Sequence, residues 1–288
     1  MNSKLVPTAL IITLVSGWIS FAFWPKYDAK LLNFWLLSVG QGESALIREP
    51  SGNWILYDGG PDESVLNQIG KIMPPWERRI SLIILSHPHA DHLRGLIYLI
   101  DRYQFGQIWT AYSTFQSPEV TAWQSKLKQH NLQPLFLTYP HTDQLGQLIL
   151  AVVYPLEGSN QAQLSYPHST DLVVSIQYQK PQILLTGDLG APELAAILNS
   201  CQLPLCQLSH PVLQVPHHGG KDSLSPRFVS AVNPQIALIP VGLNNMYHHP
   251  TPATLALLAQ SHLSPLRTDQ SADPLFIAFN QLGPLIPP

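Results

Sequence analysis

The sequence predicts a layered α/β domain with its site along one sheet edge. Three observations predict it. Short apolar runs bounded by turn residues alternate with amphipathic stretches of helical period. The polar, chemistry-bearing motifs stand directly after apolar runs, where parallel strands end. No internal repeat, low-complexity tract or long linker divides the chain.

The 288 residues suffice for a substantial core. Hydrophobic residues make up 45% and charged residues only 11%, so Gln, Ser, His and Pro fill many polar positions. The formal charge of −3 gives no whole-chain argument for nucleic acid, which ordinarily calls for a basic face. Bound divalent cations would change the local field without altering that sum. Two cysteines, Cys201 and Cys206, form neither a metal knuckle nor a disulfide framework.

Leu5 to Trp24 carries no charged residue and is long enough as a helix to cross a hydrocarbon core. Trp18, Phe21, Phe23 and Trp24 place aromatics near its C-terminal end, as at a membrane interface. A signal peptide is the competing reading, but the exit F-A-F-W-P is bulky and lacks a small-x-small cleavage site. The expected organisation is a membrane anchor or signal segment over residues 1–26 and one folded domain over 27–288. An extracytoplasmic position is the expected side, although Lys4 before the segment is matched by Lys26 and Lys30 after it.

Strands are expected at Leu31–Leu37, Ser44–Arg48 and Asn53–Tyr57, with glycines at the intervening turns. Ser64–Met73 has helical period and stops at Pro74-Pro75. Ile80–Leu85, apolar apart from Ser81, is expected to be a short strand buried on both faces. A strand at Gln107–Trp109 follows, then a helix at Ser117–His130. Further strands are expected at Leu135–Thr138, Gln147–Tyr154, Leu172–Gln179 and Gln182–Leu185. Pro192–Asn199 has the Pro and Glu of a first helical turn. Strands at Val212–Val215 and Ile236–Val241, a helix at Thr254–Gln260 and a strand at Leu275–Phe279 complete the chain.

The segment S-H-P-H-A-D-H-L-R-G, Ser86–Gly95, follows the apolar run Ile80–Leu85. His87 and His89 can point the same way from an extended segment, while Asp91 and His92 lie where a helix begins. Imidazole and carboxylate are ligands for zinc-like ions. Asp58-Gly59-Gly60, Thr186-Gly187-Asp188, Pro216-His217-His218-Gly219-Gly220 and the loop G-L-N-N-M-Y-H-H-P stand after other strands.

Together these motifs resemble the metallo-β-lactamase fold, whose signature is H-x-H-x-D-H. More narrowly, L-S-V-G-Q-G-E-S-A-L-I, L-L-T-G-D-L, V-P-H-H-G-G-K-D-S and L-R-T-D resemble the metallo-hydrolase domain of the ComEC competence proteins, which take up DNA. The resemblance runs from Leu32 to Phe279. It implies a four-layer αββα sandwich, here preceded by one transmembrane or signal-anchor helix. It also implies two divalent ions, zinc or manganese, with His87 and His89 on the first, Asp91 and His92 on the second, and Asp188 bridging both. Asp58 would orient ligands.

Two histidines compete for the last ligand position. The expectation is His217 as ligand, with His249 contacting the scissile phosphate or protonating the leaving oxygen. His218 would stand behind the ligands or near substrate, and Lys221 and Ser223 would hold phosphate. Gly220 replaces a Ser common in this family. The first metal lacks a third histidine, so it would be weakly held unless His168 supplies one. His130, His141, His210 and His262 fall outside the motifs and read as surface or local structural residues.

The activity implied is hydrolysis of a phosphodiester, DNA above all, by a hydroxide activated between two metals, with Asp91, Asp188 and His249 carrying the chemistry. DNA, a membrane and competence-machinery proteins would be the partners. Hydrolysis of an amide, lactone or thioester needs nearly the same ligands and stays open, as does a non-catalytic membrane-tethered binding module.

Overall fold

A computed structural model describes residues 27–158, 170–200 and 207–285. The anchor expected over 1–26, His168 and both cysteines lie outside the described residues. Among the described residues no helix is long and apolar enough to cross a membrane.

Two mixed sheets form the centre. The first contains β1 (Leu32–Leu36), β2 (Ala45–Arg48), β3 (Trp54–Tyr57), β4 (Arg79–Leu85), β5 (Gln104–Thr110) and β6 (Leu135–Phe136). The second contains β7 (His141–Leu145), β8 (Leu148–Tyr154), β9 (Val173–Tyr178), β10 (Lys180–Leu185), β11 (Val212–Gln214), β12 (Ile236–Ile239) and β13 (Leu266–Arg267). The chain then returns to the first sheet as β14 (Leu275–Asn280), antiparallel to β1, and β15 (Gly283–Leu285).

The apolar runs alternate inward on both sheets. Phe34, Ile47, Tyr57 and Trp109 meet Leu150, Val174, Ile183 and Leu238 in the core between them. The opposite residues of the first sheet, such as Trp35, Leu56 and Ile83, pack under α1 (Ser64–Ile72), α2 (Ala90–Leu99) and α3 (Pro118–Gln129). On the outer face of the second sheet lie α4 (Ala191–Ser200), α5 (Pro226–Val232) and α6 (Pro252–Gln260). The order is helix, sheet, sheet, helix.

The site follows from strand direction. β3, β4 and β5 run parallel, so Asp58 and Ser86 emerge at one edge of the first sheet. β10, β11 and β12 also run parallel, which delivers Asp188, the Pro216–Gly219 turn and the loop after Pro240 to one edge of the second. The edges are tied together: the Leu172 N–H donates to Ser86 O at 2.8 Å, and the Tyr57 hydroxyl donates to Leu172 O at 3.3 Å. α2 approaches the Asp58-Gly59-Gly60 loop so closely that a Cβ at Gly95 would lie 1.8 Å from Gly59 O. The Gly59 N–H donates to His92 O and the Gly95 N–H to Gly60 O, which locks the start of α2 to that loop.

Several elements differ from expectation, the short strands β13 and β15 among those unforeseen. The strand expected at Leu135–Thr138 contracts to two residues, and that at Ile236–Val241 ends before Pro240, which has no N–H for a ladder. The hairpin strand β7 was unforeseen because its largely exposed H-T-D-Q-L offers no apolar run. Helix α5 was also unforeseen, being only seven residues long, although Ser225 caps it by accepting from the Phe228 N–H and Pro226 fills its first turn.

Candidate metal centre

Asp91, His92, Asp188 and His218 converge, their ligand atoms lying within 4.8 Å of one another. His92 Nε2 stands 3.4 Å from Asp188 Oδ2 and 3.9 Å from Asp91 Oδ2. His218 Nε2 stands 3.5 Å from Asp188 Oδ1 and 3.4 Å from Asp91 Oδ2. Both of these nitrogens and Asp188 Oδ1 are buried without a hydrogen-bond partner. Buried polar atoms are normally satisfied. Two imidazoles and two carboxylates aimed at one point fit a divalent ion of the zinc or manganese kind.

Three of these four side chains are positioned from behind. His92 Nδ1 pairs with Asp58 Oδ2 at 2.7 Å. Asp58 is fully buried and accepts from the Ser86 N–H at 2.7 Å and the Ser86 hydroxyl at 2.6 Å. A carboxylate accepting from Nδ1 leaves His92 Nε2 open toward the cluster. His218 Nδ1 donates to Pro240 O at 2.7 Å, with the same effect on His218. Gln214 Oε1 accepts from the Thr186 and Gly187 N–H groups and shapes the turn that presents Asp188.

The quartet shows opposed shifts. Burial alone would raise Asp188, but His218 and His92 hold it well below the usual carboxylate range. Asp91 is likewise lowered to about 2, with His92 and His218 outweighing burial. Against burial, Asp188 and Asp58 hold His92 well above its ordinary value, and Asp188 brings His218 up to about 10. A proton and a metal ion would therefore compete for the same two imidazole nitrogens.

Of the adjacent histidines, His218 enters the cluster and His217 does not. The side chain of His217 is 37% exposed, with Nε2 4.0 Å from Asp188 Oδ2, whereas that of His218 is 2% exposed. Both adopt left-handed backbone angles, φ +50° and +54°, uncommon without glycine. That tight turn sends neighbouring side chains to different places. His217 lines the mouth with His89, Tyr247 and His249.

His249 has a ring centroid 5.6 Å from that of His217. Burial, His217 and His218 push its pKa down to about 4, so it is neutral at pH 7. A Cβ at Gly220 would meet the His249 ring at 3.0 Å, so glycine here leaves room for that imidazole. Ser223 is buried and donates its hydroxyl to Gly220 O at 2.8 Å, holding the turn. Lys221 is exposed beside it, outside the mouth.

His87 and His89 lie together, with ring centroids 4.7 Å apart. Among the described residues neither joins a group of three metal-ligand side chains. His87 Nδ1 stands 3.2 Å from Asp171 Oδ1. Asp171 was not expected at the site; its Oδ2 also accepts from the Asp188 N–H at 2.5 Å. Its only signal was a carboxylate directly before the apolar strand β9. Glu43 was not expected either: it is fully buried, with both oxygens unpartnered, and belongs to a second close group with Asp58 and His92. Burial and Asp58 hold it well above the usual carboxylate range. A carboxylate between Gly42 and the apolar β2 was its signal.

The model of the metallo-β-lactamase superfamily matches residues 37–242. The chain is 28% identical over 235 residues to the Escherichia coli (strain K12) protein called "Uncharacterized protein YcaI", covering 79% of this chain and 28% of that protein. It is 23% identical over 262 residues to "Competence protein ComA" of Neisseria gonorrhoeae, covering 90% and 34% respectively. The chain thus spans about a third of the length of these curated relatives. In structure it is similar to the metallo-β-lactamase fold protein YhfI from Bacillus subtilis, with TM-score 0.56, 11% identity, and 87% of this chain and 100% of that one covered. The two sheets, the converging ligand cluster and the family match agree: the chain belongs to the metallo-β-lactamase superfamily.

Proposed function

We propose that this protein is a divalent-metal-dependent phosphodiesterase acting on nucleic acid, DNA in a competence-type setting. The observation that carries the reading is Asp188, whose two oxygens face two different imidazoles, His92 and His218. Kinship with a protein named for competence supports the choice of DNA. The proposed ligands are Asp91, His92, Asp188 and His218, with His218 in the place expected for His217. His87 and His89 would serve a second, weaker zinc or manganese ion that Asp188 shares.

A divalent ion bound there supplies Lewis acidity toward a phosphoryl oxygen and lowers the pKa of water. The residues around it do the positioning. Asp58 and the Pro240 carbonyl hold the two imidazoles, and Asp171 holds the Asp188 backbone. Neutral His249 at the mouth is placed to offer an N–H to a phosphate oxygen or to the leaving oxygen. His217 lies beside it as a second contact to substrate. Lys221 is the nearby cation for an approaching phosphate. The apolar stretch within residues 1–26 supports a membrane anchor, with this domain on the extracytoplasmic side near competence-machinery proteins.

The test is cleavage of bis-p-nitrophenyl phosphate, DNA and RNA by the full chain with Mn²⁺ or Zn²⁺, beside Asp188→Asn. Metal-dependent cleavage, reduced at least about a hundredfold in the variant, is expected. Intact phosphodiesters with hydrolysis of a thioester, lactone or amide panel would move the activity to a carbonyl substrate. No hydrolysis of any of these would leave a binding module.

A further inference from the structure

We propose that Tyr247 is a stacking platform for an unpaired nucleobase, which makes single-stranded nucleic acid the preferred substrate of the site. This rests on the phosphodiesterase reading above and specifies the strand on which it acts.

The cavity over Asp91, Asp188 and His218 holds about 180 Å³. The cavity opens to solvent and its floor is polar, so a phosphoryl group fits over Asp188 and the nucleoside attached to it extends toward the rim.

The rim is built of rings. Tyr247 lines the mouth beside the metal-site residues and is 59% exposed. One side of its ring leans on His249, with centroids 5.8 Å apart and planes 31° from parallel. The loop carrying it is pinned: the Asn245 amide donates to Gly242 O at 3.0 Å and to His249 O at 2.7 Å. Asn245 Oδ1 in turn accepts from the His249 N–H at 2.9 Å. Tyr247 is therefore held at the opening with much of its surface exposed among the described residues. Leu243 and Met246 extend the exposed apolar surface of the same loop. On the His89 side, the Phe115 ring meets the His89 ring at 5.2 Å.

Charge supports the same occupant. Among the described residues that line the mouth there is no Lys or Arg. Lys221, exposed outside the mouth, is available to the nucleic-acid backbone, and the aromatic rings at the rim are the groups that can meet a base. Stacking of a base on an aromatic side chain tolerates any base but needs that base unstacked. In a duplex both faces of the base are already covered.

The experiment uses the full chain with Mn²⁺ and three substrates of one length: a single-stranded oligonucleotide, its fully abasic counterpart and the matching duplex. Wild type is expected to cleave the base-bearing strand with a kcat/KM about tenfold above the abasic one, and above the duplex. Tyr247→Ala should bring the ratio of base-bearing to abasic cleavage close to one, and Tyr247→Phe should retain it. A ratio near one in wild type, or one unchanged in Tyr247→Ala, overturns the proposal. If Tyr247→Ala instead loses sedimentation with phosphatidylglycerol vesicles at an unchanged ratio, the loop contacts lipid and the proposal falls. Cleavage of none of the three substrates by wild type would sink the phosphodiesterase reading itself, a result distinct from equal cleavage with and without bases.

Discussion

His210 and His218 are both sealed from solvent, yet their environments treat the imidazole in opposite ways. His210 pairs Nε2 with the Ser175 hydroxyl at 2.6 Å and Nδ1 with Leu208 O at 2.8 Å. Burial drives its pKa down to about 4, so it stays neutral as a strut of the second sheet. His218 is satisfied on Nδ1 only. Its Nε2 is buried with no hydrogen-bond partner and faces two carboxylates, which against burial bring its pKa up to about 10. The first arrangement is complete in itself; the second sets an imidazole nitrogen and two carboxylates around a point that a proton or a metal ion can occupy. Burial alone does not mark a functional histidine, whereas an unsatisfied nitrogen opposed to negative charge does.

Removing the support behind the metal cluster should produce the larger effect on metal binding. Asp58→Asn replaces the carboxylate that orients His92 with an amide and should weaken metal affinity or activity by about ten- to a hundredfold. Isothermal titration with Zn²⁺ checks this, and unchanged affinity would reduce Asp58 to a turn residue. On the other side of the comparison, His210→Gln should leave metal affinity unchanged.

The effect of His210→Gln lies in the pH dependence of stability. The unfolded chain takes up a proton on this histidine near pH 6.5, whereas the folded chain resists until about pH 4. Its stabilising contribution is therefore full above pH 6.5 and is lost as pH falls toward 4, about 2 kcal/mol being gone by pH 5. Denaturant unfolding at pH 7 and pH 5 should show this increment in wild type and lack it in the variant. Equal pH dependence in both would show that His210 titrates as freely folded as unfolded.

Much of the fold and of the metal cluster is legible in the sequence. The H-P-H-A-D-H run, Asp58-Gly59-Gly60 and Thr186-Gly187-Asp188 each follow an apolar strand, and parallel strands deliver such segments to one edge. The choice between His217 and His218 is not legible. It depends on two consecutive left-handed residues in a tight turn, and a histidine pair carries no signal of which ring turns inward. His210 reads as a surface or local residue because its burial comes from packing between distant strands. Asp171 and Glu43 escape for a related reason. Asp171 reaches His87 because β9 is tied to the end of β4 through the Leu172 N–H and Ser86 O. Glu43 is placed by its N–H donating to Asp91 O. Single carboxylates beside apolar strands gain a role only through contacts of this range.

The most direct measurement is the metal content of the purified full chain, by inductively coupled plasma mass spectrometry, for wild type, His218→Ala and His217→Ala. Wild type and His217→Ala should carry the same tightly held divalent ion, and His218→Ala should lose it. Loss in His217→Ala with retention in His218→Ala would contradict the assignment of Asp91, His92, Asp188 and His218 as the metal centre.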